Sequence, residues 1–288
     1  MTRAVPMRYL VTGAGGMLGT DLLSALGERD VVGLSRADLD VTDQSAVRDA
    51  VAGFDVVINA AGYTKVDEAE SHEDEAFAIN AIGPANLAGA AAVHGAILVQ
   101  PSTDYVFDGS ATSPYAEETP RNPVSAYGRT KAEGEVLSLA ANPKTYIVRT
   151  AWLYGQHGPN FAATMLRLAR ERDTVAVVTD QVGQPTWTAD LALAIVRLVD
   201  AKAPFGIYHG TNSGQASWFD FARQVFEIGG LDPARVKPTD SMQFQRPAPR
   251  PAFSVLGHDG WRRAGLAPMR DWRDALRDAF RTGALGAK

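Results

Sequence analysis

Cysteine is absent from the 288 residues of the sequence. This absence excludes a disulfide framework, a zinc site with thiolate ligands and catalysis by a thiol nucleophile. It also fits a reducing cytoplasm, which is the location that we expect. Histidine is scarce, and its five residues are scattered without the spacing of a metal site, at His72, His94, His157, His209 and His258.

An excess of positive charge and long apolar runs are also missing. The formal net charge is -5, whereas a protein that binds phosphate backbones normally carries a basic surface, so we expect no nucleic-acid partner. No run of about 18 apolar residues predicts a membrane span. The first seven residues lack the apolar run of a signal peptide. A small-molecule partner is the remaining expectation.

Short apolar runs alternate with helical patterns over the first 150 residues. Because strands buried on both faces read as continuous apolar runs, this alternation predicts a parallel, doubly wound sheet. The predicted strands span 9–12, 31–34, 55–59, 96–100 and 145–149. The predicted helices between them span 17–26, 43–52 and 73–93, the last with a break or a kink at Gly83-Pro84.

The pattern changes after Trp152, where helical segments alternate with polar loops marked by proline. The helices are predicted at 160–170, 189–199, 217–228 and 272–280. We therefore predict an α/β fold: a Rossmann-type doubly wound parallel sheet with a smaller C-terminal substrate-binding lobe. The dinucleotide-binding domain is expected to comprise residues 1–152 and about 174–210, and the lobe about 153–173 and 211–288.

A glycine-rich loop follows the first predicted strand and opens the first helix. Its glycines, Gly13, Gly16 and Gly19, permit a tight turn and let the backbone approach a pyrophosphate. The unpaired N–H groups at the start of the helix, around Met17 and Leu18, can bind the same phosphates. The strand–loop–helix context therefore predicts a dinucleotide site.

The end of the second strand indicates which dinucleotide binds. The acidic residue that would hold a ribose is missing, and Ser35 and Arg36 stand in its place. An arginine there can pair with a 2′-phosphate, so NADPH is favoured and NADH remains possible. Further cofactor contacts are expected from Asp40, Val41, Ala60, Ala61, Gly62 and Tyr63.

Two polar segments supply the groups that ketone reduction needs. Tyr127 and Lys131 lie four residues apart, on one face of a helix, and Thr103 and Asp104 follow the fourth strand. A phenol is a poor acid at neutral pH, and a nearby ammonium is expected to lower its pKa. These residues beside a dinucleotide loop predict a ketone reductase.

Five separated motifs narrow this prediction. They occupy residues 102–109, 127–131, 149–155, 180–186 and 246–251. With the glycine loop, they make the sequence resemble the extended short-chain dehydrogenase/reductase superfamily and, within it, the dTDP-4-dehydrorhamnose reductase family. The resemblance covers nearly the whole chain. It implies reduction of the 4-keto group of dTDP-4-dehydro-L-rhamnose to give dTDP-L-rhamnose.

The resemblance also implies roles for individual residues. Tyr127 would donate the proton and contact both sugar and cofactor, and Lys131 would bind the nicotinamide ribose. Thr103 would donate a hydrogen bond to the carbonyl oxygen. Thr103, Asp104 and Trp152 would contact the sugar. Independently of the resemblance, Arg250 and Arg246 on a proline-rich loop are candidates to hold the diphosphate.

Some family members bind magnesium between subunits through acidic residues. Asp21 and Asp190 are the only candidates in this sequence, and surface carboxylates are ordinarily solvated, so we predict no metal. We expect a monomer or a homodimer. The segment 251–254 departs from the usual family pattern.

Three alternatives accompany this interpretation. A nucleotide-sugar dehydratase needs an acid/base pair directly after the threonine, and Tyr105 stands where the glutamate would be. A 4-ketoreductase acting on another dTDP-4-keto-6-deoxyhexose stays open, because the sequence does not determine which face of the ketone meets the hydride. An NADP-binding regulatory subunit is disfavoured by the intact Tyr127 and Lys131.

Overall fold

A computed structural model describes residues 6–286 of the chain. Its strands are β1 (Arg8–Thr12), β2 (Asp30–Leu34), β3 (Val56–Asn59), β4 (Ile97–Thr103), β5 (Thr145–Thr150), β6 (Leu153–Tyr154), β7 (Val175–Val178), β8 (Val182–Gly183), β9 (Thr186–Trp187), β10 (Gly206–His209), β11 (Ala216–Ser217) and β12 (Val236–Thr239).

The α-helices lie mostly between these strands. They are α1 (Met17–Leu26), α2 (Gln44–Val51), α3 (Val66–Ala69), α4 (Glu73–Phe77), α5 (Gly83–His94), α6 (Ala126–Ala141), α7 (Phe161–Glu171), α8 (Thr188–Asp200), α9 (Trp218–Ile228), α10 (Asp259–Arg263) and α11 (Trp272–Arg281). A π-helical segment, Ala78–Ile82, joins α4 to α5, and short 3-10 turns span Asp104–Val106 and Pro233–Arg235.

Six parallel strands form the central sheet in the order β2-β1-β3-β4-β5-β10. The predicted doubly wound sheet is therefore confirmed. The chain reverses direction across the sheet between β1 and β3, and ligands of such sheets bind outside the carboxyl ends of the strands at that point. Strand β10 was not predicted, because its sequence, Gly-Ile-Tyr-His, is not a continuous apolar run.

Strand β4 extends three residues beyond its predicted end. Ser102 and Thr103 pair with Arg149 and Thr150 of β5, so the ladder continues although the side chains turn polar. The extension matters because it places the Thr103 hydroxyl at the edge of the sheet that faces the ligand site. Hydrophobic pattern alone ends this strand where the side chains become polar.

The helix does not break at Gly83-Pro84, since it runs continuously from Glu73 to His94, and a kink there stays a prediction. The π-helical segment ends just before Pro84, which then occupies the first turn of α5, where its missing N–H costs no hydrogen bond. A Cβ on Gly83 would lie 2.7 Å from Cγ2 of Val41. This helix has the length and composition of a membrane span, but half of it is buried, and it contacts α2 and α6.

A second hydrophobic core lies outside the sheet. It is built by α7, α9 and α11, and Val175 and Val177 of β7 belong to it. Strand β7 pairs with β12, not with the central sheet, so residues 175–178 pack with the C-terminal lobe. This packing differs from the predicted boundary near residue 174, which stays a prediction. Helix α8 instead packs on α1 in the core of the sheet, and the other predicted boundaries stay predictions.

Candidate active site

A cavity of about 600 Å³ opens at the switch point between β1 and β3. It is bounded by the glycine loop, by the ends of β2 and β3 and by the start of the π-helical segment. The volume is that of a small-molecule site. Predicted cofactor residues that line it are Gly13, Gly16, Ser35, Arg36, Asp40, Val41, Ala60, Ala61 and Gly62.

The glycine loop can accept a phosphate because its backbone has no side chains in the way. Gly13 has a φ of +65°, and a Cβ there would collide with the backbone of Ala60 and Ala61. A Cβ on Gly19 would collide with the carbonyl oxygen of Gly13. Gly16 caps α1 without a side-chain hydrogen bond, so the N–H groups of the first helical turn remain for a ligand.

The turn after β2 presents one arginine to the cavity. Asp38 accepts hydrogen bonds from the backbone N–H and the hydroxyl of Ser35, at 2.9 and 2.6 Å, which holds the turn. Arg36 is exposed at the cavity wall. Within residues 6–286 no hydrogen bond or ion pair engages its guanidinium, so the group is available to an anion such as a 2′-phosphate.

A buried asparagine ties the loop after β3 to α6. Asn80 accepts a hydrogen bond from the N–H of Tyr63 at 2.9 Å and donates to its carbonyl at 3.0 Å. It also donates to the Thr130 hydroxyl on α6 at 3.2 Å. The sequence analysis missed Asn80, because its partners lie 17 and 50 residues away in the sequence.

Tyr127 lies near the start of α6, directly beside Thr103. Its ring is half-buried and meets the Tyr105 ring edge-on, with centroids 5.6 Å apart. Burial raises the pKa of Tyr127 to about 12; the Thr103 hydroxyl lowers this pKa, and the charge of Asp104 raises it further. We expected Lys131 to lower the pKa of the phenol. Lys131 is not among the groups that shift this pKa, and burial has the largest effect, so the pKa of the phenol is raised and not lowered.

Lys131 lies one turn along α6 and points to the sheet. Its ammonium donates to the carbonyl oxygen of Pro101 at 2.8 Å, and burial lowers its pKa to about 8 against the opposing effect of Glu135. The amide of Gln100 donates to the same carbonyl at 2.8 Å. Gln100 accepts from Asn59 at 2.8 Å, and Asn59 accepts from the Thr12 hydroxyl at 2.6 Å. A buried hydrogen-bond chain therefore runs from β1 to Lys131.

Arg149 anchors the interior and does not face the ligand site. The side chain is fully buried, and it forms a bidentate ion pair with Glu135 of α6 at 2.9 and 2.8 Å. Glu135 also accepts a hydrogen bond from the Ser102 hydroxyl at 2.6 Å. The geometry assigns Arg149 to holding α6 against the sheet.

Asp104 is buried directly after Thr103. The Thr103 hydroxyl donates to Oδ1 of Asp104 at 3.0 Å and accepts from the N–H of Tyr105 at 3.2 Å. Within the described part of the chain, Oδ2 of Asp104 has no hydrogen-bond partner and no contact with solvent. Burial raises the pKa of Asp104 to about 6, against the opposing effects of the Ser254 and Thr103 hydroxyls.

Two predicted substrate residues belong to the lobe side of the site. Trp152 has a φ of +47° and stacks face to face on Trp218, with ring centroids 3.6 Å apart, so one face of its indole is already covered. Arg250 donates to Oδ1 of Asp67 at 2.9 Å, and this pair joins the lobe to the segment after β3. The predicted contacts of Trp152 and Arg250 with substrate stay predictions.

The two acidic residues considered as metal ligands have protein partners. Asp21 accepts a hydrogen bond from the Thr188 hydroxyl. Asp190 forms a bidentate ion pair with Arg270, at 2.8 and 2.9 Å, and accepts from Asn212 at 2.8 Å. Across residues 6–286 no group of three or more potential ligands surrounds a common point. The absence of a metal stays a prediction.

Comparison with known proteins agrees with this geometry. A dTDP-4-dehydrorhamnose reductase of Streptomyces griseus is 52% identical over 95% of this chain and 93% of its own length. A probable dTDP-4,6-dihydroxy-2-methyloxan-3-one 4-ketoreductase of Streptomyces antibioticus is 51% identical over 95% of both chains. The crystal structure of dTDP-4-dehydrorhamnose reductase from Bacillus anthracis in complex with NADP is 39% identical and covers 96% of this chain and 100% of that chain, with a TM-score of 0.94.

The match extends across both the sheet and the lobe. Residues 7–284 correspond to the family described as the RmlD substrate binding domain, so the match includes the motifs before and after Trp152. The resemblance drawn from five motifs is thereby confirmed. The chain belongs to the RmlD substrate binding domain family, together with the dTDP-4-dehydrorhamnose reductases.

Proposed function

We propose that this protein reduces the 4-keto group of dTDP-4-dehydro-L-rhamnose with NADPH, giving dTDP-L-rhamnose. The observation that carries the proposal is the position of Tyr127 and Thr103 side by side at the carboxyl end of β4, next to the glycine-loop cavity. The relatives named above act on ketones of dTDP-linked sugars by their names, and a structural neighbour binds NADP.

The residues of the cavity fit a dinucleotide. Its backbone cradle has no room for a Cβ at Gly13 or Gly19, the first turn of α1 offers free N–H groups, and Arg36 faces the end where a 2′-phosphate would lie. When bound, NADPH supplies the hydride. Lys131, with its ammonium at the Pro101 carbonyl, is placed to bind the nicotinamide ribose.

The chain supplies the proton and the orientation of the ketone. As hydride reaches carbon 4, negative charge develops on the carbonyl oxygen, and the phenol of Tyr127 transfers its proton there. A high phenol pKa suits a group that must be protonated before the reaction. Thr103 donates a hydrogen bond to the same oxygen and polarises the carbonyl. Thr103 is buried and Tyr127 is half-buried, so the protein shields this oxygen from much of the solvent.

A second candidate is the reduction of another dTDP-4-keto-6-deoxyhexose. A relative named for a different 4-keto sugar is as similar to this chain as one named for dehydrorhamnose, at 51% and 52% identity. The two candidates share the chemistry of Tyr127 and differ in the sugar and in the face of the ketone that meets the hydride.

One experiment tests both candidates. The protein is incubated with NADPH and dTDP-4-dehydrorhamnose, loss of NADPH absorbance is followed, and the configuration at carbon 4 of the product is determined by NMR. Loss of absorbance with the rhamno configuration supports the proposal. A different configuration, or loss of absorbance only when another dTDP-4-keto-6-deoxyhexose replaces this sugar, supports the second candidate. No loss of absorbance with either sugar at high protein concentration contradicts both.

Arg36 is expected to select the phosphorylated cofactor. Replacing Arg36 by alanine removes a charge-assisted hydrogen bond to the 2′-phosphate, so KM for NADPH should rise roughly ten- to a hundredfold while KM for NADH stays unchanged. Arg277→Ala, which removes an exposed arginine from α11, is the matched control and should change neither value. An equal rise for both cofactors in Arg36→Ala would contradict the assignment.

The remaining expectations concern the cellular location, the partner and the oligomeric state. We propose a cytoplasmic enzyme, supported by the burial of the apolar helix 73–94 against α2 and α6. A nucleotide sugar as the small-molecule substrate follows from the family. Whether the chain is a monomer or a homodimer stays a prediction, to be measured by light scattering.

A further inference from the structure

The Thr103 hydroxyl has one proton and faces more than one acceptor. A hydroxyl donates one hydrogen bond and accepts two. In the structure Thr103 accepts from the N–H of Tyr105 and donates to Oδ1 of Asp104. If Asp104 is ionised, its carboxylate takes the only proton that Thr103 can give, and no donor remains for the carbonyl oxygen of a substrate.

A proton on Asp104 resolves this conflict. The carboxylic acid then donates to the Thr103 oxygen across the same 3.0 Å contact, and Thr103 accepts two hydrogen bonds, from Asp104 and from the N–H of Tyr105. Its own proton becomes free for a third partner. We propose that Asp104 is a carboxylic acid in the productive complex and that its proton turns the Thr103 hydroxyl toward the substrate ketone.

A second observation points the same way. Oδ2 of Asp104 is inaccessible to solvent and has no hydrogen-bond partner at 3.5 Å or less within the described residues, although the Ser254 hydroxyl lowers the pKa of the carboxyl and so opposes its protonation. A buried, unpaired oxygen is far more costly on a carboxylate than on a neutral acid. Nor does any hydrogen bond or ion pair of residues 6–286 join Asp104 to a cation.

The groups around Asp104 are few. Tyr105 adjoins it in sequence, Tyr127 faces it from α6, and the Ser254 hydroxyl faces it from the loop after residue 251. Burial raises the pKa of Tyr105, and the charge of Arg250 opposes this effect; Arg250 itself is paired with Asp67. The pKa of Asp104, about 6, already lies above that of an ordinary aspartate, because burial disfavours the charge.

The inference rests on the proposed ketone reduction and makes Asp104 a positioning residue that acts through Thr103. Because the protonated form is the active one, kcat/KM falls as pH rises through the pKa of Asp104, by about tenfold per pH unit well above it. Asp104→Asn keeps a donor toward Thr103 at every pH, so this decline is lost. Asp104→Leu has no donor and lowers kcat about tenfold or more across the range.

Two controls isolate the effect. The 2′-phosphate of NADPH itself titrates at about pH 6. The pH profile of kcat/KM is therefore measured with NADH as well, and the decline at high pH must persist. Glu117→Gln is the matched variant, because Glu117 is a second buried acid with a raised pKa and accepts the N–H of Gly260 away from Thr103. Its profile should keep the decline.

Infrared spectroscopy tests the protonation state without turnover. The spectrum of the wild-type protein with NADP, minus that of Asp104→Asn, should contain the carbonyl stretch of a protonated carboxylic acid below the pKa of Asp104. Activity without this band, or a decline with pH that survives in Asp104→Asn, overturns the inference and leaves the proposed reduction standing. An inactive wild-type protein that shows the band contradicts the proposed function instead.

Discussion

Replacing Tyr127 by phenylalanine is expected to lower kcat by a factor of about 10²–10⁴, the usual contribution of a positioned general acid. The substitution removes only the phenol oxygen, and the ring keeps its edge-on contact with Tyr105 at 5.6 Å. Steady-state kinetics with the dTDP-4-keto sugar measure the loss, and NADPH titration measures binding.

NADPH should bind to this variant with nearly unchanged affinity, because the glycine loop and Arg36 lie in the cavity and not at the phenol. Tyr105→Phe is the matched control, since it removes a phenol from the neighbouring ring, and its kcat should fall far less. Full activity of Tyr127→Phe would refute the assignment of Tyr127 as proton donor.

Replacing Arg149 by methionine is expected to lower the free energy of unfolding by about 3–5 kcal/mol, because Glu135 is left as a buried charge without its bidentate partner. Glu135 keeps the Ser102 hydroxyl and the partly exposed Arg121, whose guanidinium lies 3.1 Å away, so part of its charge remains compensated. Urea unfolding followed by circular dichroism measures the change.

An exposed pair of the same chemistry provides the comparison. Arg167→Met breaks the ion pair with Glu171 on α7, where both side chains lie in water, and the expected loss is about 0.5 kcal/mol or less. If Arg149→Met is no more destabilised than Arg167→Met, the buried pair does not hold α6 against the sheet. Replacing Arg149 and Glu135 together by methionine and leucine should recover part of the stability.

Most of the sheet followed from the sequence, because apolar runs of four or five residues between helical patterns are typical of buried parallel strands. Strand β10 was not predicted, since its outer residues are glycine and histidine. The predicted β4 ended too early, where its side chains become polar. A break or a kink at Gly83-Pro84 was expected from the local rule for proline. The π-helical segment that accommodates Pro84 depends on packing against α6, which no local pattern contains.

The site was less evenly predictable. Glycine loops and the Tyr127/Lys131 spacing are local patterns, and the structure brings their residues to one edge of the sheet. Asn80 and Gln100 act through partners 17 to 50 residues away or on neighbouring strands, so no local pattern singles them out by their contacts. The pKa of Tyr127 was misjudged for the same reason, because burial is a property of the folded chain.

The ammonium of Lys131 takes its position from a main-chain oxygen, the carbonyl of Pro101. Any amino acid at position 101 carries the same oxygen, so no point mutation there deletes the acceptor. Residue 101 can therefore be substituted during evolution while Lys131 keeps its hydrogen bond, provided that β4 keeps its register beside β3 and β5. Selection for the position of Lys131 therefore acts on the backbone path of β4 and not on the side chain at position 101.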